Sequence, residues 1–229
     1  MGVYVKVVVK LTGKVFDEPY LEVLKDYSII IKEWLGRGYR FAIVCGGGNV
    51  ARRYINIARG LGVNEGWLDI LGIEVSRINA LLINALLGDV AYNRIPRDID
   101  EFLTAWSSGR VVTLGGLQPG QSTNAVAMLV AELVGADLVV NATDVDGIYD
   151  KDPKVHADAK LIPRISVREL RELIKAKSLA GTYELFDSLA LSIAERSRIK
   201  VFFINAFKVE AFENVMKGFA VGTELTYDE

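Results

Sequence analysis

The sequence predicts an α/β protein built on a mainly parallel sheet. Three observations carry this. Short apolar runs alternate with helix-like patterns almost throughout the 229 residues. The first three elements read as β-α-β, which implies parallel strands. The apolar runs end in glycine-marked loops, where strands turn into helices. With 51% apolar residues the chain can bury a substantial core.

Taken in order, Tyr4–Leu11 is a valine-rich run that reads as a buried strand. It leads into Lys10-Leu11-Thr12-Gly13-Lys14. The two lysines suit either solvated loop cations or a phosphate seat. An unpaired ammonium leaving a hydrophobic strand would be costly to bury, and a bound phosphate would compensate. Asp17-Glu18-Pro19 opens a helix whose apolar face is Leu21, Leu24, Ile31 and Leu35, and Gly36 and Gly38 close it.

The strand Phe41–Cys45 runs into Gly46-Gly47-Gly48-Asn49-Val50-Ala51-Arg52-Arg53. Glycines present backbone N–H groups without side chains in the way. A helix starting there adds the positive end of its dipole. Three glycines followed by two arginines favour a phosphate over a plain tight turn. Gly46, Gly48 and Ala51 also fit a dinucleotide fingerprint loosely, with Glu65 and Asp69 near the spacing of a ribose contact. On the helix that follows, Val50, Tyr54, Ile57 and Leu61 face one way, and Gly60 and Gly62 end it.

Trp67 to Gly72 leads into a long helix through about Leu87, with Ile73, Ile78, Leu81, Leu82 and Leu86 apolar. Asp69 is placed before this helix, as a cap or as a ribose contact. The helix suits a core position or a subunit interface. Asp98–Leu103 is a short capped helix and Val111–Leu114 the next strand. The loop Gly115-Gly116-Leu117-Gln118-Pro119-Gly120-Gln121-Ser122-Thr123 ends at a helix over Asn124–Val134. Its amides and hydroxyls can donate and accept, as a flat heterocycle would require, or form a polar turn with Ser122 or Thr123 as cap.

Asp137–Ala142 is a strand, followed by Thr143-Asp144-Val145-Asp146-Gly147-Ile148-Tyr149-Asp150-Lys151-Asp152-Pro153. The carboxylates can orient lysines or a magnesium–phosphate group through water. Tyr149 can stack on a purine. A solvated turn is the plainer alternative. Ser166-Val167-Arg168-Glu169 is a capping box for a helix to about Lys177. Gly181–Glu184 reads as a loop, and Asp187 begins a helix with Leu189, Ile193 and Ala194. Val201–Ile204 is a strand, Val209–Lys217 a helix, and Gly222–Leu225 a short terminal strand. His156, the only histidine, reads as an exposed loop residue without a role.

Composition excludes several classes. The net charge of −2 argues against a polyanion-binding surface or a disordered tail. One cysteine, Cys45, excludes an internal disulfide and a cysteine-cluster zinc site, and points to a reducing, cytoplasmic setting. The opening Val3–Lys10 segment is too short and interrupted for a signal peptide. No apolar run is expected to reach the length of a membrane span. The chain is expected to be one domain over residues 1–229, most permissively divided near Gly135 into two lobes, about 1–135 and 136–229.

Ligands of parallel sheets bind beyond the carboxyl ends of the strands. The four marked loops, Lys10–Lys14, Gly46–Arg53, Gly115–Thr123 and Thr143–Asp152, should therefore open on one edge. No candidate nucleophile with a base partner is present. Phosphoryl transfer, which asks mainly for positioning and charge neutralisation, fits best. The P-loop and protein-kinase signatures are absent.

Lys10-Leu11-Thr12-Gly13, Gly46-Gly47-Gly48-Asn49-Val50-Ala51-Arg52, Gly115-Gly116 with Pro119-Gly120-Gln121-Ser122-Thr123, and Thr143–Tyr149 with Asp152-Pro153 together resemble the amino acid kinase superfamily. Within it the chain is most similar to archaeal-type uridylate kinases. The resemblance implies a three-layer α/β/α sandwich, transfer of the ATP γ-phosphate to UMP, magnesium, and a homo-oligomer, a hexamer built as a trimer of dimers. It also implies residue roles. Gly13 and Lys14 would lie on ATP phosphates, and Lys10 would neutralise the transferred group. Gly47 would contact the UMP phosphate, Gly48 the ATP side, and Arg52 both phosphates. Asp69 would bind the ribose, and Leu117, Gln118, Pro119, Gly120, Gln121, Ser122 and Thr123 would enclose the uracil. Thr143, Asp144, Tyr149 and Asp152 would hold ATP, with Asp144 organising the lysines. No protein residue is assigned as a metal ligand. The rivals are a superfamily kinase for a carboxylate, carbamate or isoprenoid phosphate, a nucleotide-binding protein without chemistry, and a nicotinamide dehydrogenase.

Overall fold

The computed structural model describes residues 4–179 and 186–227, and the expected loop at Gly181–Glu184 lies outside them. Seven strands form one sheet in the order β3-β2-β1-β4-β6-β7-β5. In chain order these are β1 (Val5–Leu11), β2 (Tyr39–Cys45), β3 (Val112–Leu114), β4 (Leu138–Thr143), β5 (Arg164–Ser166), β6 (Lys200–Asn205) and β7 (Thr223–Thr226). All neighbours pair in parallel except β6 and β7. The carboxyl ends of β1, β2, β3, β4 and β6 therefore share one edge.

Eight α-helices accompany the sheet among the described residues: α1 (Leu21–Gly36), α2 (Gly48–Gly60), α3 (Glu65–Leu87), α4 (Ile99–Ser107), α5 (Thr123–Val134), α6 (Val167–Leu179), α7 (Ser188–Ser197) and α8 (Val209–Met216). Alternation along the strands splits the core in two. Val8, Ala42, Val44 and Val139 pack with α4, α5, α6 and α7 on one face. Val7, Val9, Leu11, Ile43 and Val140 pack with α1, α3 and α8 on the other. The result is the three-layer sandwich, because central strands buried on both faces must be apolar on both.

The helix starts follow the chemistry of their caps. Asp98, Ser122 and Asp187 accept from the first-turn N–H groups of α4, α5 and α7. Ser166 and Glu169 exchange the two bonds of a capping box at α6. Two expectations need correction. Helix α1 begins at Leu21, after a 3-10 turn over Glu18–Tyr20, and Asp17 makes no side-chain cap there. Helix α3 begins at Glu65, capped by Asn64, so Asp69 lies inside its second turn rather than before it. The strand β5 was not expected.

The apolar face read on α2 points outward, and so do all the apolar residues read on α3 except the buried Ile73. On α2 the buried residues are Ala51 and Ala58, while Tyr54 is 53% and Leu61 77% exposed. On α3 Ile78 is 64% exposed, and Leu81, Leu82 and Leu86 are exposed with it. By length and composition Glu65–Val90 is also apolar enough to cross a membrane, contrary to the expectation from the sequence. Here it packs on α1, α2, β2 and β3.

Candidate active site

The phosphate-type loops meet first through their glycines. A Cβ placed on Gly13 would lie 2.0 Å from the backbone nitrogen of Gly48, and one on Gly48 would lie 2.2 Å from the carbonyl oxygen of Gly13. Gly48 also has φ +64°, a conformation that favours glycine. The loop after β1 and the start of α2 are therefore in backbone contact. Gly47 precedes α2 without a side-chain cap, which leaves first-turn N–H groups of that helix available to an anion.

Helix α3 locks two of the loops. Asn79 donates to the carbonyl of Gly46 at 2.8 Å, and the Ser76 hydroxyl accepts from the N–H of Gly116 at 2.7 Å. Both side chains are buried. The sequence reading missed them. Their one signal was polarity on the inner side of an otherwise apolar helix. Asp69 accepts from the N–H of Gly120 at 2.8 Å, so α3 also holds the tip of the third loop.

A cavity of about 480 Å³ lies between these parts. Gly47, Gly48, Arg52, Asp69, Gln118, Gln121, Ser122 and Thr123 line it, together with Ala51, Ile55, Gly72, Ile73, Ser76 and Gly116, which had not been singled out as contacts. Leu117 instead lines a smaller neighbouring hollow with Arg97, Ile99 and Leu129, and its carbonyl accepts from Arg77. Pro119 and Gly120 are outside the lining of the large cavity. Arg52 is exposed at the wall and donates to Asn49 at 3.3 Å.

The cations and acids of the other loops adjoin this wall through Gly13. Asp144 is ion-paired with both Lys14 and Lys154. Burial alone would raise its pKa, but the hydrogen bonds from the two lysines prevail and hold it at about 2. Lys154 was another residue the sequence reading missed. Lys10 is half-buried, and burial lowers its pKa to about 8 against the opposing pull of Asp144 and Asp187. Asp187, at the start of α7, accepts from Ser122 and so ties the third loop to the second half of the chain.

The acidic loop is organised beyond Asp144. The Thr143 hydroxyl donates to Asp144 at 3.3 Å. Asp146 accepts from Asn205 at 2.9 Å and from Tyr149 at 3.3 Å, and pairs with Lys208 at 2.7 Å. Asp152 accepts from the backbone N–H of Lys154 at 2.9 Å, closing a turn. Among the described residues no group of three or more His, Cys, Asp or Glu side chains gathers to hold a metal ion. The whole edge offers bare amides, four cations and one strongly ionised carboxylate around an open cavity, which suits binding and moving phosphate groups.

This fold and edge define a phosphotransferase-type α/β sandwich, and comparison with known proteins is consistent with it. The model of the amino acid kinase family matches residues 5–205, and the chain belongs to that family. It is 45% identical over 220 residues to the uridylate kinase of Sulfurisphaera tokodaii, covering 95% of this chain and 97% of that one. It is 47% identical over 215 residues to the uridylate kinase of Sulfolobus acidocaldarius, covering 93% and 95%. The crystal structure of uridylate kinase from Archaeoglobus fulgidus superposes with a TM-score of 0.85 at 36% identity, over 96% of this chain and all of that chain. The loose dinucleotide fingerprint at Gly46, Gly48 and Ala51 is thus part of this family's glycine loop, and the dehydrogenase reading falls.

Proposed function

We propose that the protein is a uridylate kinase, which transfers the ATP γ-phosphate to UMP and yields UDP and ADP. The observation that carries this is the cavity in which Gly47, Arg52 and Asp69 face the amide- and hydroxyl-rich Gln118–Thr123 loop, beside the Gly13–Gly48 contact. The relatives named uridylate kinase support it along nearly the full chain.

In this reading UMP lies in the cavity. Its phosphate meets the uncapped start of α2 at Gly47, its ribose meets Asp69, and its uracil meets the loop from Leu117 to Thr123, with Pro119 and Gly120 shaping the turn. ATP lies beside the second lobe, against Gly13, Lys14 and Gly48 of the first lobe and Thr143, Asp144, Tyr149 and Asp152 of the second. An oxygen of the UMP phosphate attacks the γ-phosphorus, the bond to the bridging β–γ oxygen breaks, and ADP leaves. Arg52 and Lys10 offset the charge on the moving group, worth on the order of 10²–10³ in rate for a single donor. Asp144 holds Lys14 and Lys154 in place by ion pairing. Magnesium, when bound, neutralises phosphate charge. The residues present fit a cation carried on phosphate oxygens and water, since Asp144 is already engaged by two lysines.

The outward apolar faces of α2 and α3 support self-association, and we assign a homo-oligomer, a hexamer built from dimers. Sedimentation velocity of the wild type and of a Leu81→Asp, Leu82→Asp variant tests this; a monomeric wild type refutes it. The buried free thiol of Cys45 accords with a cytoplasmic setting. The substrate assignment is tested by ADP release with magnesium and ATP across UMP, CMP, acetylglutamate and aspartate. UMP turnover is expected. Turnover of a carboxylate acceptor without UMP overturns the assignment.

A further inference from the structure

Asn141 is 1% exposed and sits in β4, in register with Lys10 of β1. The two residues also share a face of the sheet. Val8 and Val139, two positions before each, pack in the same core layer, and side chains alternate along a strand. Neighbouring strands lie about 4.8 Å apart, which a lysine side chain easily spans. The Asn141 side-chain amide donates to the Asn124 side-chain oxygen at 3.1 Å, and Asn124 stands in the first turn of α5 above that face. The Asn141 side-chain oxygen is buried and has no partner. A buried acceptor without a donor is costly. The Lys10 ammonium, beside it, makes no hydrogen bond or ion pair with a described residue and feels only the charges of Asp144 and Asp187.

We propose that Asn141 is a positioning residue for phosphoryl transfer: its side-chain oxygen accepts a hydrogen bond from the Lys10 ammonium and holds that cation at the reacting edge, while Asn124 fixes which way the Asn141 amide faces. The proposal rests on the assignment of Lys10 to the transferred phosphate. Asn141 touches neither nucleotide. It acts through Lys10, by shortening the search of a long side chain and by favouring its charged form. The other charged groups facing Lys10 are Asp144, from the loop after β4, and Asp187, at the start of α7. Asp144 is shared with Lys14 and Lys154, and Asp187 with Ser122. Neither acid is free to serve Lys10 alone. A neutral acceptor in the next strand supplies direction that these shared charges lack.

The test compares Asn141→Leu, Asn141→Asp and Lys10→Ala in steady-state kinetics with UMP and magnesium–ATP over pH 6 to 10. Asn141→Leu is expected to lower kcat about 10- to 100-fold, as a misplaced reacting group does. Both KM values should stay within about threefold, and the alkaline limb of kcat should move down by about one pH unit, because burial then acts on Lys10 with one acceptor fewer. Asn141→Asp should move that limb upward. If Lys10→Ala is inactive while Asn141→Leu keeps the wild-type kcat and pH profile, the inference fails and the role of Lys10 stands. If Lys10→Ala stays active, the underlying assignment fails as well. Should Asn141→Leu not fold, Asn141→Asp decides, and an unmoved alkaline limb overturns the proposal.

Discussion

The contact between Gly13 and Gly48 permits a sharp test, because backbone meets backbone there and no side chain can swing aside. In Gly13→Ala the new methyl group would sit 2.0 Å from the nitrogen and 2.5 Å from the Cα of Gly48. The loops must separate by about an ångström to reach an ordinary contact. Overpacking of this kind costs about 1–3 kcal/mol. For a chain of this length each kcal/mol is worth roughly 2–4 °C of Tm. A melting point lower by about 2–12 °C is therefore expected. The catalytic effect should be larger than the stability effect. Moving one phosphate seat by about 1 Å relative to the other costs on the order of 10²-fold in rate. The assay is kcat/KM for ADP release with UMP, alongside the thermal melt. Gly60→Ala is the control: its methyl group meets nothing within 4 Å, and the residue ends α2. It should match the wild type in rate and gain slightly in stability. If Gly13→Ala has the rate and Tm of the control, the two loops do not form one seat and the reasoning is refuted.

Three further outcomes follow from the charges. Arg52→Ala should lower kcat by about 10²–10³ with an unchanged melt, since the side chain is exposed at the cavity wall; unchanged turnover shows that it is not at the transferred phosphate. Lys10→Met should abolish activity yet raise Tm. Burial lowers the folded pKa of Lys10 to about 8, below its unfolded value near 10.4, so the charged form is strained in the folded state. The gain should be full below pH 8 and shrink towards pH 10; a destabilised variant contradicts this. Asp144→Asn should be less stable than the wild type. Its carboxylate is held at about 2, below the unfolded value near 3.9, so the wild-type advantage is full above pH 4 and vanishes towards pH 2. Melts of both proteins from pH 7 to pH 2 measure it, and a constant gap would count against the ion pairs.

Much of the fold was legible because its signals are local. Valine-rich runs, caps at Asp98, Ser122 and Asp187, and the Ser166–Glu169 box each act within a few residues. The gathering of the strand-end loops on one edge followed from parallel pairing alone. Asp69 was misplaced because Asn64, a competing cap five residues earlier, starts α3 sooner. The strand β5 has three residues, too few for a periodicity. The outward faces of α2 and α3 could not be assigned, because an apolar stripe specifies burial but not the surface that buries it. The roles of Ser76, Asn79, Lys154 and Asn141 depend on partners between 10 and 40 residues away, in other elements or loops, which no local periodicity brings together.

In the proposed reaction one phosphoryl group passes directly between two seats that share an edge. No nucleophile with a base partner is needed, and the atoms of the protein only hold and neutralise. The stereochemical course at phosphorus tests this most directly, using ATP made chiral at the γ-position and UMP as acceptor. A single in-line displacement predicts inversion of configuration in the UDP formed. Retention would require a phosphorylated enzyme and would contradict the account.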